Sequence, residues 1–251
     1  MSDPLIALRS SFEHLRQLVE GLDASELDAP AYPSEWSIAA VLSHLGSGAV
    51  ILQRRLEDTL AGHETPPEFS PPVWDEWNAK PSIAKRADAL VADHALVARL
   101  GSLSDEEQAA FHFSMGPISE DFSGFVGLRL NEHALHTWDI EVTLDPAATL
   151  SPEASDYIID RLELVARFTG KPAEVDRPVT VRTTDPRRDL VLTLGPEAVS
   201  LSPAGPESDP ELELPAESFI RLIYGRLDPD HTPVLKGRDH LATLRQAFPG
   251  P

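Results

Sequence analysis

A chain of 251 residues is long enough for one large domain or two small ones, and its 41% hydrophobic and 25% charged content is that of an ordinary folded protein. With 41 Asp+Glu against 21 Lys+Arg, a formal charge of −20, it lacks the basic face that nucleic acids and anionic membranes require. The absence of cysteine excludes disulfides, thiolate metal sites, iron–sulfur clusters and a cysteine nucleophile.

The first helix is predicted from Pro4 to Gly21, with Leu5, Leu8, Phe12, Leu15 and Val19 on one stripe. A second follows Glu35-Trp36-Ser37 and runs to Ala61, where Gly62 stops it. The prolines at 66, 67, 71, 72 and 81 predict a long loop carrying Trp74 and Trp77, as packing or as a pocket lid. A third helix spans Pro81 to Leu100, and a fourth spans Ser119 to Leu144. Four helices with one long crossover make a bundle. A domain boundary falls at Asp145-Pro146, ahead of a Ser151-Pro152 helix start. Residues 1–145 hold all four tryptophans and seven of the nine histidines. They carry 24 Asp+Glu against 9 Lys+Arg, whereas 146–251 carry 17 against 12, so most of the charge lies in the first part. Beyond the boundary, Pro152–Phe168 reads as helix. Residues 179–183, 190–194, 198–201 and 211–214 read as strands, and 215–224 and 239–248 as helices. This is the pattern of a small α+β domain with an antiparallel sheet. The N-terminal stretch predicts no signal peptide, and no apolar run is long enough to span a membrane, so a reducing cytoplasm is expected.

The fourth helix carries Arg129-Leu-Asn-Glu132-His133-Ala-Leu-His136-Thr-Trp138-Asp139. Glu132 and His136 are one turn apart on one face, and both side-chain types bind divalent metals. His133 is a rival partner for His136, but it points about 100° away from Glu132. Pairs at this spacing also decorate ordinary solvent faces. His44, in the apolar run Ile38-Ala-Ala-Val-Leu-Ser-His44-Leu45, changes the weight. A lone histidine there is commonly a hydrogen-bonded core residue, but with Glu132 and His136 it completes three ligands between facing helices. Three protein ligands leave one coordination position open, as catalytic rather than structural zinc does. Asp139, three residues after His136, is placed to orient it from behind. Trp36 reads as core or as a staple on the helix, with lining the pocket as its functional alternative, and Gly46 and Gly48 as room for a close helix or a ligand. His14, His63, His94, His112, His231 and His240 have no partner at metal spacing and read as structural or solvated.

Trp36 with His44-Leu45 eight positions on, and the Arg129/Glu132/His136/Trp138/Asp139 pattern, resemble the mycothiol-dependent maleylpyruvate isomerase family. That family belongs to the DinB-like metalloprotein superfamily of actinobacteria. Tyr224-Gly225-Arg226 and the closing Phe248-Pro249-Gly250 are similar to its C-terminal part. The resemblance implies an α+β two-domain fold. A DinB-like metal-binding four-helix bundle would occupy 1–145 and a small C-terminal α+β domain with an antiparallel sheet 146–251. It implies a divalent metal on His44, Glu132 and His136, zinc ahead of nickel, iron or manganese, and mycothiol as thiol cofactor. A coordinated thiol is held as thiolate, which adds to an electrophilic carbon. In the isomerase such addition to a conjugated double bond lets that bond rotate before the thiol leaves. The resemblance also places an arginine at the cleft to hold a substrate carboxylate. Arg226 is the candidate, with Arg238 the rival.

The function expected is therefore a mycothiol-dependent transferase or isomerase acting on a small electrophile, as monomer or homodimer, without nucleic-acid or membrane partners. Two other readings use the same ligands. One is a metal-binding stress or sensor protein without catalysis, and the other is a metal-dependent hydrolase that activates water.

Overall fold

A computed structural model describes residues 3–33, 35–172, 177–205 and 208–250. The chain divides into two units, one ending at Ala148 and the other beginning at Thr149. Among the described residues no helix is long and apolar enough to cross a membrane.

In the first unit α1 (Pro4–Val19) starts at Asp3, whose carboxylate accepts from the Leu5 and Ile6 amides, with Pro4 in the first turn. Its expected stripe is buried through Leu8, Phe12, Leu15 and Val19. A capping box between Asp23 and Glu26 opens the short α2 (Ala24–Leu27). Ser37 caps α3 (Ile38–Leu60) by accepting from the Ala40 amide. Val41, Leu42, Leu45, Ala49 and Leu56 of α3 are fully buried. Each large apolar side chain among them contributes about 1.5–3 kcal/mol to folding. Against α3 pack α5 (Ser82–Leu100) and α7 (Phe122–Leu144), and α7 also packs on α1. These four long helices form the predicted bundle.

Three elements between them depart from expectation. The proline-rich segment is not all loop: α4 runs Ser70–Ala79. Its prolines, 71 and 72, lie in the first turn, where a missing N–H leaves no helical bond unmade. Trp77 of α4 is buried against Gly46 of α3 so closely that a Cβ there would overlap the indole, whereas Trp74 is exposed. Second, α6 (Asp105–Ala110) is opened by a Ser104–Glu107 capping box. Third, the fourth long helix does not begin at Ser119. Residues 112–121 form a hairpin of β1 (His112–Met115) and β2 (Ile118–Asp121), turning at Gly116 with φ +58°. Asp121 then caps α7 by accepting from the Gly124 amide at 2.8 Å.

In the second unit the helix expected over 152–168 is interrupted by a 3-10 turn at Ile159–Arg161, giving α8 (Pro152–Ile158) and α9 (Leu162–Thr169). The sheet has the order β5-β4-β3-β6, from β3 (Arg177–Thr184), β4 (Arg188–Leu194), β5 (Val199–Pro203) and β6 (Leu212–Pro215). It is antiparallel across β5-β4-β3, as expected, and β6 joins the edge of β3 in parallel. Helix α10 (Ala216–Ile223) packs on α8 and α9, and α11 (Leu241–Ala247) closes the unit. Gly225 and Gly250 both have positive φ, and their backbones touch so closely that a Cβ on either would strike the other. The two short motifs Tyr224-Gly225-Arg226 and Phe248-Pro249-Gly250 are thus one structural feature.

Candidate metal centre

His44 comes from the second turn of α3, and Glu132 and His136 from successive turns of α7. Their ligand atoms all lie within 4.8 Å of one another. His44 Nε2 is 3.0 Å from Glu132 Oε2, and His136 Nε2 is 3.7 Å from the same oxygen. Two donors bound tetrahedrally at about 2.1 Å stand about 3.4 Å apart, so this spacing suits a shared divalent ion with little movement. Two imidazoles and a carboxylate accept zinc and its neighbours alike.

The ligand atoms are held from behind. Asp139 Oδ2 accepts from His136 Nδ1 at 2.8 Å, which keeps a proton on Nδ1 and leaves Nε2, on the Glu132 side, as the atom a metal would take. Asp139 is wholly buried rather than an exposed helix charge. Its carbonyl also accepts the Tyr32 amide at 2.9 Å, which ties the segment leading into α3 onto α7. That tie carries Trp36 to the site. Its indole stacks parallel on His136 at 6.0 Å and leans on His44 at 5.5 Å. Trp36 is therefore part of the site wall and partly exposed, which favours its pocket-lining reading over core. The Glu132 carboxylate is half exposed. Burial favours its neutral acid, but the hydrogen bond from His44 and the charges of His136, His44 and Arg129 outweigh that and hold it at about 2. These contacts favour its anionic form.

His133, the rival ligand, is turned into the core. Its Nδ1 meets Ser11 Oγ at 2.8 Å, and its Nε2 faces Asp93 Oδ2 at 3.7 Å. Burial first, and then the Arg129 charge, hold its pKa well below the usual imidazole value, so it is neutral. Arg129 is buried with Asp93 of α5. One of its nitrogens, Nη2, donates both to Asp93 Oδ1 and, at 2.9 Å, to the carbonyl of Leu45, next to His44. Burial pushes the Asp93 carboxyl up against the pull of that guanidinium. The pair braces α3, α5 and α7 at the level of the three ligands. Sequence reasoning missed Asp93. Its signal is an acid in the buried stripe Ala89, Asp93, Leu96, Leu100.

Arg226 lies in the second unit, buried just after Gly225, with Nη1 donating to the Tyr224 carbonyl at 3.1 Å. It lines a cavity of about 310 Å³ with Thr169, Lys171 and Phe248. Arg238 opens a short 3-10 turn behind Gly237 and is exposed.

The family described as the mycothiol maleylpyruvate isomerase N-terminal domain matches residues 8–141. Two uncharacterized proteins of Mycobacterium tuberculosis, one from strain H37Rv and one from strain CDC 1551, are each 26% identical over 199 residues, covering 77% of this chain and 97% of theirs. Crystal structures of the mycothiol-dependent maleylpyruvate isomerase and of a histidine-to-alanine mutant of it superpose with a TM-score of 0.63 at 15% identity. The match covers 89% of this chain and 88% of that one, a likeness of fold.

Proposed function

The chain belongs to the family of the mycothiol maleylpyruvate isomerase N-terminal domain, and on that premise we propose a metal-dependent enzyme that uses a small thiol, mycothiol, to transfer to or isomerise a small electrophile. His44, Glu132 and His136 are its metal ligands, with zinc the preferred ion. The observation that carries this reading is the convergence of those three donors with Asp139 aligned behind His136. Bound there, the cation would hold a thiol as thiolate. The chain has no cysteine, so that thiol comes from outside.

The residues present divide the remaining work. Glu132 stays ionised and supplies the negative ligand. Asp139 fixes the His136 ring, and the Trp36 indole covers one side of both imidazoles and limits water there. Residues 1–145 act as the metal-binding domain and 146–251 as the C-terminal domain, which holds Arg226. A buried guanidinium on a cavity wall suits a substrate carboxylate held by paired hydrogen bonds. A reducing cytoplasm is the compartment in which such a thiol stays reduced.

The test is metal content by plasma mass spectrometry on untagged protein, for the wild type and for His44→Ala and His136→Ala. One equivalent of zinc, lost in both variants with circular dichroism unchanged, is the expected result. Wild-type protein that takes up no zinc or nickel on soaking overturns the reading. Turnover of electrophiles that stops when mycothiol is withheld separates thiol transfer from hydrolysis.

A further inference from the structure

The helical unit carries a second concavity that the metal centre leaves unused. A cavity of about 730 Å³ opens beside the C-terminal part of α3, walled by the segment after that helix, by α4 and by β1. Its volume lies in the range of small-molecule sites. Arg55 lines it, eleven positions after His44 on α3, which is about 16 Å along the helix axis. Ile51 and Leu52, both buried, lie between them on the same helix.

Arg55 has neither an ion pair nor a hydrogen bond among the described residues, in a chain with 41 carboxylate side chains. It is half-buried, and burial alone moves its pKa, downward. The acids that follow it on the same helix are otherwise engaged. Asp58 is taken by Arg54 and by the Thr65 hydroxyl, and Glu57 pairs with Arg99. Glu64 lines the cavity but is exposed and makes no pair with Arg55. The same wall presents Trp74 and Met115, two of the few large apolar side chains left open to solvent, at 48% and 39% exposure. The imidazoles of His63 and His112 add polar rims. A guanidinium fork donates to two oxygens of an oxyanion in plane, and an open indole packs against a flat apolar body.

We propose that this cavity binds a small organic oxyanion, a carboxylate or a phosphate ester with an aromatic body, with its oxygens on Arg55 and its ring against Trp74 and Met115. The site is separate from His44, Glu132 and His136 and does not depend on a metal there.

The full chain, isotopically labelled, is titrated with benzoate, phenyl phosphate and inorganic phosphate while backbone and indole resonances are followed by NMR. Saturable shifts at the Trp74 indole and in residues 62–66 and 112–116 are expected for at least one aromatic anion, and weaker ones for inorganic phosphate. The better of benzoate and phenyl phosphate identifies the oxyanion. Arg55→Gln weakens binding by about tenfold or more, and Arg55→Lys, which keeps the charge without the fork, falls between. Removing metal with a chelator leaves these shifts in place. No saturable shift, shifts that survive Arg55→Gln undiminished, or shifts confined to the residues around His44 and His136 each overturn the proposal.

Discussion

The Asp139 carboxylate acts on the metal centre through His136. In Asp139→Asn the amide keeps the shape but loses the charge that fixes the imidazole tautomer. Metal affinity should fall by about 10–100-fold, read by competition with a chromophoric chelator, while circular dichroism stays unchanged. His133 makes a separate prediction about pH. In the folded chain it is neutral, held down by burial and by Arg129; unfolded, it binds a proton near the ordinary value of 6.5. Below that value the unfolded state takes up a proton the folded state refuses. Stability therefore rises with pH up to about 6.5 and is lost below it, by about 1.4 kcal/mol per pH unit from this one group. In His133→Gln that part of the slope should vanish, as measured by urea unfolding between about pH 5 and 7. Convergence of His44, Glu132 and His136 was legible because two of them share a helical turn and the third interrupts an apolar run. Asp93 was not, since the partners that define it come from other helices, and the choice between core and pocket wall for Trp36 needed the fold.

The four long helices announce themselves by their apolar stripes, and three of them also by a cap: Asp3, Ser37 and Asp121 each accept an amide at the start of one, whereas α5 follows Pro81 without one. What failed at this scale was the meaning of proline. Five prolines within sixteen positions suggested loop, yet the two in α4 occupy the one turn that tolerates them. The β1–β2 hairpin was missed for a different reason: its strands are four residues each, too short for alternation to show. Gly46 illustrates packing overriding propensity. Alanine there gains about 1 kcal/mol of helix preference. Its methyl, however, must displace the buried Trp77 indole and also crowds the backbone of Ala89. We expect Gly46→Ala to be destabilising on balance, by about 1–3 kcal/mol in chemical unfolding, with Trp77→Phe partly relieving it.

Across the whole molecule the three putted-together donors, their buttress at Asp139 and the Asp93–Arg129 brace all belong to the unit that ends at Ala148. A fragment of residues 1–148 should therefore fold and bind zinc with close to full-length affinity, measured by calorimetry, while losing turnover if Arg226 serves the substrate. Failure of the fragment to bind metal while remaining helical would show that the ligand set needs the second unit. Composition and period foretold an α+β second part. The parallel seat of β6 beside β3 was not legible, because strand order depends on pairings between residues far apart in sequence.

The indole that lies over both imidazoles has an optical consequence. Trp36 stands 5.5 Å from one ring and 6.0 Å from the other, close enough for its excited state to feel any cation between them. Cobalt or nickel, with unfilled d shells, should quench part of the chain's emission, whereas zinc should shift it without darkening it. Trp36→Phe should remove that response and leave the emission of the other three tryptophans in place. A cation held by these donors would thus be readable in a cuvette from the chain's own emission.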